Sequence, residues 1–363
     1  MHGFENGAPG PIDSRCPVAK YLPEFVPSRL LDEARSGWFP RGIRRCIGCE
    51  LCSPRPEASC AACADSILFA GGVREGFIPR AFGGALDACV TLQIEGEGKQ
   101  NRLEWVTPEL KFAEETVKGD VALFVGCAPY YDVLLGDAIR FKPTDEARAA
   151  VALLNAIGVA PVILPDEVCC GADRLHAGDR DGFLALGARL RDLLKERSVK
   201  TVVTACDDCR FTLGNRYPGR IPDWDFEVTR LSDYLLEHGD KLEFTPAQET
   251  VVIQPSDRYS DPNGTNSVRE LLTNVPELNV LELEEGHPST VGGWGQFDAV
   301  TRRIETALLK AADTTGADRL IVPSTRVLVR LKEGRREGSW EETSIKIDGL
   351  YGFLAECCAP TSK

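Results

Sequence analysis

Val121-Ala-Leu-Phe-Val-Gly-Cys127, Cys169-Cys170-Gly171 and Val202-Val-Thr-Ala-Cys206-Asp-Asp-Cys209 decide how this chain folds. As spacing they read Cys-x41-Cys-Cys-Gly-x34-Cys-x2-Cys. Two of these cysteine groups end an apolar run of strand length. The vicinal pair follows a third, shorter run, Val162-Ile-Leu164. Segments of helical period lie between them. In the first, Ala147, Val151, Leu154 and Ile157 share a face, Thr144 or Asp145 can cap the start, and Gly158 ends it. The second runs from about Asp181 to Glu196, with Phe183, Leu186, Leu190, Leu193 and Leu194 on its buried side. Strands alternating with helices of this length predict a parallel α/β unit. Loops beyond the carboxyl ends of its strands gather in one crevice, so five sulfurs are expected to meet there.

A chain of 363 residues can hold two or three domains with cores of their own. No run approaches the roughly 18–20 apolar residues of a membrane span. The opening Met1-His-Gly-Phe-Glu-Asn lacks a basic region followed by an apolar core, so no signal peptide is expected. The expected location is therefore cytoplasmic, where 14 cysteines are reduced or metallated rather than paired. A formal charge of −13 repels phosphates and argues against nucleic acid as a partner.

Residues 1–118 are rich in Gly, Pro and Cys and weakly periodic. Their clearest feature is Cys46-Ile-Gly-Cys49-Glu-Leu-Cys52. Ferredoxin motifs use such a run for three corners of a [4Fe–4S] cube and take the fourth corner from a distant Cys-Pro. Cys16-Pro17 supplies one, and Pro56 stands where the run's own fourth cysteine would fall. The expected ligands are Cys16, Cys46, Cys49 and Cys52, with Cys60 or Cys63 as the competing fourth ligand and zinc as the competing metal. Packing is the first reading for Cys89, and packing and ligation compete for Cys60 and Cys63. Phe25 to Gly37 reads as one short helix. Residues 71–107, with Gly71-Gly72, Gly83-Gly84 and Gly96-Glu-Gly98, read as a mostly irregular connector.

The middle stretch, 119–247, resembles the cysteine-rich CCG domain found in heterodisulfide reductase. Related iron–sulfur subunits of glycolate, glycerol-3-phosphate and lactate oxidation share that domain. The phrases that carry the likeness are Val125-Gly-Cys, Asp166-Glu-Val-Cys-Cys-Gly-Ala-Asp and Thr204-Ala-Cys-Asp-Asp-Cys-Arg. The resemblance implies a non-cubane [4Fe–4S] cluster on Cys127, Cys169, Cys170, Cys206 and Cys209. Soft thiolates select such clusters, and zinc on four of the five is the competing reading. The N-terminal cysteines resemble the ferredoxin-like component of the same reductase, so the whole looks like a reduced fusion of two of its components.

The family usually carries the motif twice, and residues 248–363 read as a second copy stripped of sulfur. Val251-Val-Ile-Gln-Pro-Ser256 stands for the first strand, Val291-Gly-Gly-Trp294 for the cysteine pair, and Leu320-Ile-Val-Pro-Ser324-Thr-Arg-Val327 for the last motif. Helices are expected near Asn266–Thr273, Asp298–Ala312 and Ile347–Glu356. Cys357-Cys358 reads as incidental. His176 and His287 lie near the real and the vestigial pair loops, and His176 is a candidate proton donor.

The expected fold is α/β: two similar parallel cysteine-rich-type domains behind a small, irregular or helical ferredoxin-like segment. The resemblance implies disulfide reduction at Cys169 and Cys170, with flavoprotein or ferredoxin-like redox subunits as partners and a disulfide or thiol as substrate. With the complete motif present once, an electron relay in a flavoprotein dehydrogenase is the second reading. A zinc-ordered scaffold is the third.

Overall fold

A computed structural model describes residues 17–36, 84–95, 102–113, 119–176, 179–239, 242–254, 264–283, 299–336 and 343–358. Helices α1 (Pro17–Tyr21), α2 (Pro27–Arg35) and α3 (Ala85–Glu95) come first. Helix α2 answers the short helix expected between Phe25 and Gly37. Helix α3 lies within the stretch 71–107 expected to be mostly irregular, and it is ordered because Leu86 and Val90, one turn apart, are buried and fix it on the core.

The motif-bearing stretch then folds as strand and helix in turn. Strand β1 (Val121–Phe124) leads into α4 (Ala128–Ile139), which begins directly after Cys127. Pro129 suits that first turn, where its missing N–H costs nothing. The helix ends on Arg140 in the left-handed region, φ 51°. Helix α5 (Thr144–Ala156) follows, and Gly158 (φ +86°) turns the chain after it. Its N-cap is Pro143 rather than Thr144 or Asp145, because Thr144 gives both its N–H (3.1 Å) and its hydroxyl to Asp132. Helices α6 (Ala172–His176) and α7 (Arg180–Glu196) precede β2 (Thr201–Thr204), and Asp179 caps α7 through the Gly182 N–H at 2.9 Å. After Cys206 come α8 (Asp207–Phe211), a π-helical turn at Thr212–Arg216, β3 (Glu227–Arg230) and α9 (Leu231–His238).

The C-terminal half continues with β4 (Thr250–Ile253), α10 (Gly264–Thr273), β5 (Asn279–Glu282) and α11 (Ala299–Thr314). It closes with β6 (Arg319–Val322), α12 (Thr325–Arg336), β7 (Lys346–Gly349) and α13 (Leu350–Cys357). The last helix thus starts three residues later than expected. Ile347 is in a strand, and Gly349 is the N-cap.

Both sheets are parallel throughout. The first has the order β1-β2-β3, with Val162 bridging Ala122 on the free side of β1. The second has the order β5-β4-β6-β7. Counting the Val162 bridge as a strand, the two orders coincide. The run Val162–Leu164 stays a bridge because prolines flank it: Pro161 has no N–H to give a ladder, and neither has Pro165. The inner strands β1, β2, β4 and β6 are buried at their last three residues, so they read as continuous apolar runs rather than alternating ones.

One core joins the two sheets. Leu123 and Val203 pack in the same cluster as Val251, Ile321, Leu350 and Leu354. The carboxylate of Glu146 on α5 accepts the N–H groups of Tyr351 (3.1 Å) and Gly352 (3.2 Å), first-turn donors of α13. At the other end, Val18 and Phe25 pack on Ile304 of α11.

Candidate metal centre

Each cysteine of the middle stretch sits where a strand run hands over to a loop or helix. Cys127 precedes α4, Cys206 precedes α8, and Cys209 lies within α8. Cys169 and Cys170 follow Leu164 on the pair loop. The five thiols form a continuous chain of sulfur contacts in the order Cys127, Cys169, Cys170, Cys209, Cys206. The Cys127–Cys169 sulfurs are 3.4 Å apart and the Cys170–Cys209 sulfurs 3.6 Å. Cys169, Cys170 and Cys209 are buried, whereas Cys127 and Cys206 are partly exposed.

Cys127, Cys170, Cys206 and Cys209 line one cavity with about 350 Å³ of space, part of it open to solvent. Cys169 lies behind them, touching Cys127. Among the described residues, no three His, Cys, Asp or Glu side chains are grouped as ligands of a single metal ion.

The loops that carry the sulfurs are held by buried polar groups. Glu167 accepts the N–H of Val125 (3.0 Å) and of Gly126 (2.7 Å) and pairs with Arg102 at 3.1 Å. Arg102 also donates to the Gly126 carbonyl at 2.7 Å and lies over the Tyr130 ring at 4.6 Å. The Cys127 loop and the pair loop are therefore one braced unit. Burial pushes the Glu167 carboxyl up to about 7 against the pull of Arg102 and the two amides. Tyr217, brought round by the π-helical turn, donates its hydroxyl to the Cys170 carbonyl at 2.8 Å. Gly126 and Gly171 both have positive φ, +66° and +72°. A Cβ on Gly126 would stand 3.1 Å from the Cys209 sulfur, and one on Gly171 would stand 3.0 Å from the Phe183 ring. Only glycine gives the backbone this approach.

The thiols do not titrate alike. Hydrogen bonds from Cys127 and Cys170 hold Cys169 well below the ordinary thiol value. Cys127, bonded to Cys169, is pushed up, as is Cys209, bonded to Cys170.

Two acids between Cys206 and Cys209 are each tied to an arginine, one buried and one largely so. Asp207 is 2.8 Å from Arg230 at the end of β3. Asp208 is 3.4 Å from Arg326 of α12, which is also 2.8 Å from Asp173. Thr325 and Arg326 belong to the cavity lining, and the Thr325 N–H reaches the Ala205 carbonyl at 3.2 Å. Sequence reasoning missed both residues. The signal that could have found them was the repeat itself, which places Arg326 opposite Asp208.

Of the other residues singled out, Cys89 packs partly buried against the first core and Cys357 is buried in the shared one. Ser324 is buried and Val327 half-buried, at the start of α12. The backbone of His176 ends α6, and its side chain lies outside the described residues. Cys16, Cys46, Cys49, Cys52, Cys60, Cys63, Ser256, His287 and the stretch Val291-Gly-Gly-Trp294 lie outside them too.

Residues 121–214 match the family model of the CCG cysteine-rich domain. This segment is similar to a CCG domain. It supplies every residue of the cavity lining except Thr325 and Arg326. Over 180 residues the chain is 30% identical to an uncharacterized iron–sulfur protein of Methanocaldococcus jannaschii, spanning 48% of this chain and 32% of that one. An uncharacterized iron–sulfur protein of Methanococcus maripaludis is 28% identical over 193 residues, 51% of this chain and 34% of the relative. The match thus spans about a third of the length of these curated relatives. A crystal structure of a hypothetical protein from Helicobacter pylori covers 67% of this chain and 49% of its own, at 14% identity and a TM-score of 0.47. Among the described residues no helix is long and apolar enough to cross a membrane.

Proposed function

We propose that the chain is an iron–sulfur redox protein whose CCG domain holds a non-cubane [4Fe–4S] cluster on Cys127, Cys169, Cys170, Cys206 and Cys209. The observation that carries this reading is the convergence of five thiols from three loops, four of them lining one cavity and the fifth, Cys169, in contact with Cys127. A string of soft donors around a space of this size suits a multi-atom group with its own sulfides better than a single hard ion. The buried Tyr130 hydroxyl, without a hydrogen-bond partner among the described residues, fits an acceptor-rich group beside Cys127 and Cys169. Both curated relatives carry the words iron–sulfur protein in their names.

A second cluster, a cubane [4Fe–4S], is assigned to Cys16, Cys46, Cys49 and Cys52 on their spacing. Bound in this way, the clusters supply one-electron transfer. The chain's own residues do the rest. Arg102 and Glu167 keep the two loops in register, Tyr217 fixes the Cys170 carbonyl, and Cys127 and Cys206 face the open side of the cavity. As a subunit of a heterodisulfide-reductase-like complex, the protein would exchange electrons with a flavoprotein or ferredoxin-like partner and reduce a disulfide near Cys169 and Cys170. The burial of these two cysteines favours a second reading, a relay in a flavoprotein dehydrogenase of the 2-hydroxy acid or glycerol-3-phosphate type.

Anaerobic purification tests the core of the proposal. Broad absorption near 400 nm with about eight irons per chain, four per cluster, is the expected result. Bound zinc without that absorption would replace it with the scaffold reading. Cys16→Ser should alter the paramagnetic signal of the cubane cluster and leave the other in place. Thiols that perturb the non-cubane signal would favour disulfide chemistry over the relay.

A further inference from the structure

The C-terminal half has lost the cysteines of its own motif, yet it builds one wall of the thiol cavity. The loop from β6 into α12, Ser324-Thr325-Arg326-Val327, is the counterpart of Cys206-Asp207-Asp208-Cys209, since both follow the second inner strand of equivalent sheets. Its first helical residue binds the Ala205 carbonyl through the N–H (3.2 Å) and the hydroxyl (3.3 Å). Its second is Arg326, the one cation among the described residues that line the cavity. Arg326 is largely buried and held on two sides, by Asp173 at 2.8 Å and by Asp208 at 3.4 Å. Counterpart positions of the repeat, 208 and 326, thus form an ion pair within the cavity lining.

A guanidinium so held cannot swing away, and its charge acts through protein rather than water. Fixed charges of this kind need no reorganisation when charge appears nearby, and low dielectric strengthens their effect. A centre with thiolate ligands is already negative and gains one more negative charge on taking up an electron. We propose that Arg326 is a positioning residue of this site: a fixed cation, delivered by the C-terminal half, that favours the reduced form of the bound iron–sulfur centre. The proposal rests on the iron–sulfur reading above. Asp173 and Asp208 orient the guanidinium and oppose its charge, so neutralising Asp173 acts in the opposite direction.

The test is a redox titration of the full-length wild type, Arg326→Gln, Arg326→Lys and Asp173→Asn, purified anaerobically. Dithionite is the electron donor, and the visible and paramagnetic signals of the non-cubane centre are followed. Iron and sulfide per chain are measured first. Arg326→Gln should keep its iron while its reduced-to-oxidised ratio at a given potential falls about tenfold, equivalent to about 59 mV for a one-electron couple. Arg326→Lys, which keeps the charge, should stay nearer the wild type, and Asp173→Asn should raise the ratio. An iron-loaded Arg326→Gln protein with the wild-type ratio would overturn the proposal. If Arg326→Gln loses its iron, Asp173→Asn decides: a raised ratio supports the role of Arg326, and an unmoved one refutes it. Wild-type protein without iron or sulfide would instead sink the function proposed above, and this inference with it.

Discussion

At the scale of single residues, the thiol site depends on a carboxylate that no sulfur touches. Glu167 and Arg102 are both buried, with 2% and 4% of their side chains exposed. Between them they close off two amides and a carbonyl of the Cys127 loop. Replacing Glu167 with alanine strands a buried guanidinium, the buried N–H of Gly126 and the half-buried N–H of Val125. Breaking one side of a buried pair typically costs about 3–5 kcal/mol, and Glu167→Ala should lose that much in urea denaturation. A loss below about 1 kcal/mol, the level of an exposed pair, would mean that water replaces the carboxylate. Gly126 and Gly171 act at the same scale: their positive φ lets backbone approach where any side chain would meet Cys209 or Phe183.

At the scale of elements, α5 and α13 are joined by a buried carboxyl group at a helix end. The first N–H groups of a helix have no partner within it, and Glu146 of α5 satisfies two of those of α13 from outside. Burial raises the Glu146 carboxyl from its ordinary value to about 7, because desolvation outweighs the two amides and Lys332. A folded-state value above the unfolded one means that the native state binds the proton more tightly. The stabilising contribution is therefore full below about pH 4.5 and lost as pH rises through about 7. Each tenfold difference in proton affinity between the folded and unfolded states is worth about 1.4 kcal/mol, so the swing is on the order of 3 kcal/mol. Glu146→Gln keeps an acceptor for α13 without the titration. Its denaturation midpoint should vary less between pH 5 and 8 than that of the wild type, and parallel curves would place the pH dependence elsewhere.

At the scale of the whole molecule, the two sheets share a core. Leu123, Val203, Leu231 and Leu235 pack in one cluster with Val251, Ile321, Leu350 and Leu354. Neither sheet can shed its neighbour without exposing that surface, at roughly 25 cal/mol per Å² of apolar area. The described chain should therefore unfold in one step. Tryptophan fluorescence and far-ultraviolet circular dichroism should give coincident transitions in denaturant. Two separated transitions would show that the halves are independently stable. Deleting residues 248–363 should remove the cooperative transition altogether, because it takes away Arg326 and Thr325 along with half of the shared core.

Local physics determined what could be read from the sequence alone. Apolar runs buried on both faces announced β1, β2, β4 and β6, and the periods of Ala147–Ile157 and Phe183–Leu194 announced α5 and α7. Cysteine spacing after those strands announced which loops would meet, because parallel strands send their carboxyl ends to one edge. Short or flanked segments were not legible. Val162–Leu164 between prolines stayed a bridge, Glu227–Arg230 is too short and mixed to announce β3, and Ile347 reads equally well as helix or strand. The braces were hidden for another reason. Arg102, Glu146, Tyr217 and Arg326 are ordinary polar residues whose partners lie far away in sequence, 65 positions for Arg102 and Glu167 and 153 for Asp173 and Arg326. Only the tertiary fold brings those groups together, and for Glu146 and Arg326 it takes the packing of one half against the other, because a buried polar group is stable only opposite its partner and nothing in the local sequence names that partner.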